Sequence, residues 1–347
     1  MKLSDIGEDH LIGEIHRRCP PEWKADFSDD VAILAGAKGP LMVVSVDNLV
    51  EGVHFRTTTS SAKDIGYKSL AVNLSDLAAK GAKPRACFLS LALPPDLAVD
   101  WFYDFVAEFI ELAKNSKCPL RGGDSSRSAS GIFISVTIIG EQRLDRMKRR
   151  AQAQIGDVIA VTGTLGDSAA GLALLEQSPL SSKNRGDQAR AHLIARHRRP
   201  TPRLREGSWL AKQSSVQAMM DLSDGLWTDL PRMTKASRLG ALIRVDDLPL
   251  SEELLLEFGD KAQRWAVGGG EDYELLLTVK SASFPDLRRR FLAQFPEQRL
   301  TAIGEMYKAN TGKMNAGGDG SDGIDWQSSV ELSGLSVYSH FKKPVHR

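Results

Sequence analysis

Short β-branched runs separated by stretches of helical apolar spacing organise the first half of the chain. Leu41 to Asp47 (LMVVSVD) has the composition and length of a strand. From Ala62 to Lys80 the apolar residues Ile65, Leu70, Leu74, Leu77 and Ala78 fall close to helical period. Cys87 to Leu93 predicts a strand closed by Pro94-Pro95, and about Leu97 to Ser116 places Trp101, Phe105, Phe109 and Leu112 along one helical stripe. Ile132 to Ile139 (IFISVTII) predicts a further strand.

Arg143 to Arg150 (RLDRMKRR) interrupts this pattern with charge and little apolar content, and it sets the expected boundary between a domain at 1–148 and one at 149–347. Beyond it, Asp157 to Thr162 predicts a strand and Gly166 to Glu176 a small-residue helix. Ser178 to Arg190 reads as a polar loop, and Arg199 to Arg203 (RPTPR) as a rigid connector before another helix. A helix over Gly225 to Ser237 and strands over Ala241 to Val245 and Tyr273 to Val279 follow, then a Gly/Asn/Asp-rich loop at Ala309 to Gly323. Strands and long helices in this order imply an α+β class.

Composition narrows the functional classes. A chain of 347 residues is long enough for two domains. Its 45 Lys plus Arg against 44 Asp plus Glu give a net charge of +1, without the basic excess of a nucleic-acid binder. The local basic clusters, Arg196 to Arg205 and Arg288 to Arg290, read as solvated helix faces. Cys19, Cys87 and Cys118 form no metal-ligand spacing. No apolar run is long enough to span a membrane, and the N-terminus lacks a signal core, so a soluble cytoplasmic protein is expected.

The candidate chemistry lies in dispersed acids: Asp29-Asp30, Asp47, Asp76 in NLSD, Asp124 in GGDSS, Asp221 and Asp224 in DLSDG, and Glu271-Asp272 in GGGEDYE. Each alone reads first as a helix cap or turn. Asp76 stands apart, because it is interior to a helix with Asn73 on its face, and a buried carboxylate needs a partner. That partner is either a hard cation, which oxygen ligands without His or Cys suit, or an Arg or Lys. There is no Walker lysine pattern. Gly163 to Asp167 (GTLGD) follows a strand and opens a helix, so its amides either receive a phosphate or simply make a tight turn.

Taken in order, SDDVAIL, SVDNLVEGVHF, KSLAVNLSDLAAKGAKP, RGGDSSR, GDVIAVTGTLGDSAAGLALL, RPTPR, MDLSDGLWTDL and GGGEDYELLLTV resemble the thiamine-monophosphate kinase family, within the superfamily of aminoimidazole ribonucleotide synthetase. The resemblance covers about Asp29 to Val279. It implies two α+β domains, the N-terminal sheet pairing across a homodimer, and transfer of the γ-phosphoryl group of ATP to thiamine monophosphate with several Mg2+ ions. By motif position it implies Asp30, Asp47, Asp76, Asp124, Asp221 and Asp224 as magnesium ligands, with Ser45 as a further oxygen. Gly123, Asp124, Arg150 and Ser223 would contact ATP, and His54, Glu271 and the aromatic Phe341 the substrate. Asp76, Asp124 and Arg150 would carry catalysis.

Three positions depart from the family pattern. Ser28 replaces a Gly, Val46 a Thr, and Lys80 a Met; Lys80 is expected to face solvent near its helix end. The competing readings are another ATP-dependent synthetase of the superfamily and a nucleotide-binding regulator without turnover. Cys19 in RRCPPE lacks the glycine-rich loop of a selenophosphate synthetase, and the KKPVHR terminus lacks the cysteine of a hydrogenase-maturation relative.

Overall fold

The computed structural model describes residue 17 and residues 29–34, 40–177, 188–309 and 323–335. Ser28, Cys19, Phe341 and most of the 309–323 loop lie outside the described residues. Eleven strands and nine α-helices are named here in chain order. The strands are β1 (Ala32–Leu34), β2 (Leu41–Val50), β3 (Lys83–Leu93), β4 (Leu120–Arg127), β5 (Phe133–Gln142), β6 (Asp157–Thr162), β7 (Val216–Asp221), β8 (Gly240–Arg244), β9 (Leu275–Lys280), β10 (Leu300–Tyr307) and β11 (Ile324–Gln327). The helices are α1 (Ala62–Ala79), α2 (Val99–Asn115), α3 (Asp167–Gln177), α4 (Gln188–Arg198), α5 (Leu204–Leu210), α6 (Leu226–Ser237), α7 (Glu252–Phe258), α8 (Ala262–Gly268) and α9 (Phe284–Gln294).

The first sheet has five strands in the order β1-β2-β5-β3-β4, antiparallel except for the β3–β4 pair. Alternation sends Val43, Leu49, Ile134, Val136 and Ile138 inward against α1 and α2. Helix α1 begins in a capping box, in which Ser61 Oγ accepts from the Asp64 amide and Asp64 returns the bond to the Ser61 amide, both at 3.2 Å. Its apolar and small residues are buried around most of its circumference, which suits a helix packed on several sides. One side meets α2 through the Phe105 and Phe109 stripe, another meets β2 and β5, and a third meets α5 and β7.

Those last contacts carry α1 into the second, six-stranded sheet, ordered β11-β8-β10-β6-β9-β7 and antiparallel except at β11–β8. Its core joins Ile159 and Val161 of β6 to Leu276 of β9, Ile303 of β10 and Met233 of α6. Edge strand β7 lies beside α1, so one helix is shared by both sheets.

Several expectations need correcting. Residues 188–190 belong to α4 rather than to a loop. The strand expected from Tyr273 starts at Leu275, because Glu271 and Tyr273 both adopt left-handed backbone, at φ 68° and 53°. The GGDSS segment is not a turn but lies in β4, an edge strand exposed along nearly all its length. Arg196 and Arg203 are not on a solvated face: both pair with Glu274, whose side chain is 0% exposed and needs those cations.

Candidate active site

The acids gather where the two sheets meet at α1. Asp30 precedes β1, Asp47 lies on the inner face of β2, Asp76 is in α1, and Asp221 ends β7. One carboxylate oxygen each from Asp30, Asp76 and Asp221 lies within 4.8 Å of the other two. Hydroxyls and amides hold the set in place. Ser45 Oγ donates to Asp76, Ser75 Oγ donates to Asp221 at 2.6 Å, and the Asp47 amide donates to Asn73 at 3.2 Å.

Charge divides this cluster. Burial raises Asp47 to about 7, with Asp221 and Asp224 adding repulsion. Burial and Asp47 push Asp76 well above the usual carboxylate range, and burial with Asp30 raises Asp221 to about 6. Asp30 behaves oppositely: burial pushes it up, but Arg150 and Lys80 together hold it at about 2. Its Oδ1 accepts from Arg150, while its Oδ2 makes an ion pair with Lys80 but accepts no aligned hydrogen bond. Converging carboxylate oxygens and a serine hydroxyl fit a hard divalent cation.

Lys80 does not face solvent as expected. It caps α1 with its side chain 0% exposed, pairing with both Asp29 and Asp30.

Asp224 lies next to this cluster, on the loop between β7 and α6. Its carboxylate pairs with Arg232 at 2.6 Å, and its amide donates to buried Asp229 at 2.9 Å. Burial and the Asp224 charge raise Asp229 to about 8. Sequence reasoning missed Asp229 and Arg232, which resemble ordinary residues of a helix's first turns. The loop is fixed from behind by the GGGEDYE segment: the Glu271 amide bonds Ser223 O at 2.7 Å and the Tyr273 amide bonds Leu222 O at 2.9 Å. Gly225 is at φ 93°, and a Cβ there would meet Gly269 O at 2.5 Å, so this crossing requires glycine.

Glu271 faces a second polar group. Lys68 of α1 reaches one oxygen at 2.8 Å and His197 Nδ1 the other at 3.2 Å. Despite burial, the Lys68 ammonium beside it holds Glu271 below its ordinary value. His54 itself accepts the Val50 amide at 3.0 Å through Nδ1. Burial and the Lys68 charge lower His197 to about 3, so its ring is neutral. Ser168 Oγ lies 3.2 Å from that same Nδ1, so serine and glutamate meet one nitrogen and no proton relay crosses the ring.

The GTLGD turn is structural. The Gly166 and Ser168 amides donate to Asp272 at 2.6 and 3.0 Å, the Gly163 amide to Arg299 O, and the Leu165 amide to Pro249 O. Those amides are already engaged, which favours the tight-turn reading over phosphate binding.

Asp124 is not brought into the cluster. Strands β5 and β3 separate β4 from β2, a spacing of about 14 Å at the usual strand interval. Gly123 and Asp124 are exposed on that edge. Arg150 reaches Asp30, and its Nε is buried without a hydrogen-bond partner. Lys148, two residues earlier in the charged stretch, is also buried and donates to Val216 O at 2.7 Å.

Comparison with known proteins follows the same outline. The AIR synthase related protein family models match residues 28–142 (N-terminal domain) and 154–316 (C-terminal domain). The thiamine-monophosphate kinase of Salmonella typhimurium is 40% identical over 324 residues, covering 92% of each chain. The crystal structure of thiamine-monophosphate kinase from Stenotrophomonas maltophilia superposes with a TM-score of 0.72 at 34% identity, covering 95% of this chain and 98% of that one. AaThiL complexed with AMPPCP and TMP gives a TM-score of 0.79 at 31% identity, covering 95% and 97%. Similar in both domains and along nearly its full length, the chain belongs to the AIR synthase related family and, within it, to the thiamine-monophosphate kinases.

Proposed function

We propose that the chain phosphorylates thiamine monophosphate with ATP at the junction of its two sheets, using Mg2+ held by Asp30, Asp47, Asp76, Asp221 and Asp224 with Ser45. The observation that carries this reading is the convergence of three carboxylate oxygens from three separate elements within 4.8 Å. A phosphate oxygen of thiamine monophosphate attacks the γ-phosphorus of ATP. The bond from that phosphorus to the β–γ bridging oxygen breaks, and its electron pair leaves with ADP. The acceptor's second pKa is near 6, so it is already largely ionised and needs no general base. That suits a site in which His197 is neutral and engaged with Glu271. Bound Mg2+ would supply charge neutralisation between two polyanions.

The chain's own residues supply placement. Arg150 anchors Asp30, Arg232 and Asp229 fix the loop of Asp224 and Ser223, and α1 sets Asp76 against Ser45. Glu271 and His54 form the acceptor end, with Lys68 and His197 orienting the glutamate. We place the boundary between the two units at Lys148 and Arg149, and the protein in the cytoplasm.

We further propose a homodimer through the first sheet. Its outward face carries Val46 at 53% and Phe133 at 38% exposure, beside half-buried Val44, Phe88 and Ile139. Such an apolar face calls for a second copy. In that arrangement Gly123 and Asp124, remote from their own cluster, would serve the neighbour's nucleotide.

The test is stoichiometric. Purified chain with ATP, Mg2+ and thiamine monophosphate should release ADP and thiamine diphosphate one for one. Turnover on a different acceptor and none on this one would overturn the assignment. Light scattering should give twice the chain mass, and a monomer would remove the dimer reading.

A further inference from the structure

Among the described residues, Lys80 is the one side chain that joins the acidic cluster while contributing positive charge from α1 itself. Its Nζ pairs with Asp29 and Asp30 and lies 3.4 Å from Met219 O of β7. Arg150 meets the other oxygen of Asp30 from the segment linking the two sheets. Four stretches of chain therefore converge on one buried knot: residues 29–30, the end of α1, β7 and Arg150.

A wholly buried ammonium costs several kcal/mol in desolvation unless anions are held against it in good geometry. Here the compensating anion, Asp30, is also one of the three carboxylates that converge with Asp76 and Asp221. Asp76 and Asp221 accept from the hydroxyls of Ser45 and Ser75 but lack a lysine of their own among the described residues. The arrangement is asymmetric: Lys80 and Arg150 neutralise the Asp30 corner, whereas among the described residues no lysine or arginine pairs with Asp76 or Asp221.

We propose that Lys80 is a positioning residue for the metal site, a built-in cation that locks Asp29 and Asp30 against α1 and β7 before any ion binds. The cluster is thereby assembled across both sheets in the metal-free protein. This rests on reading the cluster as an Mg2+ site, and the test separates the two ideas.

Thermal midpoints of the full chain in EDTA are compared for wild type, Lys80→Met, Asp29→Asn and the double variant. Methionine keeps the unbranched length and removes the charge. Lys80→Met should melt about 5–10 °C lower, because breaking a buried pair strands its partner. Asp29→Asn should lower the midpoint in wild type but raise it in the Lys80→Met background, where Asp29 is an unpaired anion. Identical effects of Asp29→Asn in both backgrounds would overturn the proposal, since loss of packing alone gives no such reversal. Should Lys80→Met fail to fold, a folded double variant supports the proposal, and an unfolded one beside a stable Asp29→Asn protein overturns it.

Mg2+ is then added without nucleotide. It should raise the midpoint of Lys80→Met less than that of wild type, because a site no longer held in place binds the ion more weakly, and KM for Mg·ATP should rise about tenfold with kcat changed less than about threefold. A reversal in EDTA with no Mg2+ response in any variant would leave the role of Lys80 standing and count against the metal reading.

Discussion

Asp272 is buried and Asp76 half-buried, both in segments rich in small residues, yet their surroundings differ in kind. Asp272 sits over the start of α3, where two amides donate to it, and burial with the nearby Asp167 raises it to about 7. Asp76 accepts one hydroxyl, from Ser45, and otherwise faces Asp47, Asp221 and Asp30. The first is a closed structural unit, complete without a ligand. The second accumulates like charge at the junction of two sheets and is complete only with a cation. Burial and a like-charged neighbour are common to both and do not separate structure from chemistry; the two amides closing on Asp272, against three acids crowding Asp76, do.

The largest effect expected from breaking this contrast is on turnover. Asp76→Asn should reduce kcat by about 100-fold or more through loss of a charged ligand. It should leave the fold intact, with an unchanged or higher melting midpoint in EDTA, because a like charge is removed. Full activity would take Asp76 out of the site. Asp272→Ala should do the reverse. It strands two buried amides, costing about 2–4 kcal/mol, visible as an earlier transition in urea. A denaturation midpoint equal to wild type would undo the structural reading.

The neutral His197 sharpens the comparison through pH. Its folded value of about 3 lies below the unfolded value of about 6.5, so between them the unfolded chain binds the extra proton. Stability is therefore lost as pH falls through that window, by about 2 kcal/mol at pH 5 from this group. In His197→Gln the drop between pH 7 and pH 5 should shrink by that amount; an equal drop would show that the ring is already protonated in the fold. The smallest effect belongs to Arg289→Ala, which loses only an exposed pair with Asp286 and should change neither midpoint nor turnover measurably.

Much of the framework was legible because apolar periodicity and burial agree. The Phe105 and Phe109 stripe of α2 and the β-branched runs of β2, β5 and β6 are examples. The fold brings Asp30, Ser45, Asp47, Asp76 and Asp221 close together, positions that motif resemblance rather than residue pattern singled out, Asp76 excepted. Strand β4 was missed because an exposed edge strand containing two glycines lacks the alternation that marks a half-buried one. Lys80 was misread because lysine is almost never fully buried unless paired, and its pairing residues lie about fifty positions away in sequence. The GTLGD turn was undecidable from sequence, since only the fold brings Asp272 to its amides.

Helix α1 carries Lys68 at the glutamate end of the site and Asp76 at the carboxylate end. Eight residues of α-helix correspond to an advance of about 12 Å, and a helix packed on several sides has no soft joint in which to change that figure. The span between the two ends is thus set by the helical repeat rather than by loop conformation. The protein carries an internal gauge, and a molecule held at both ends must match its length.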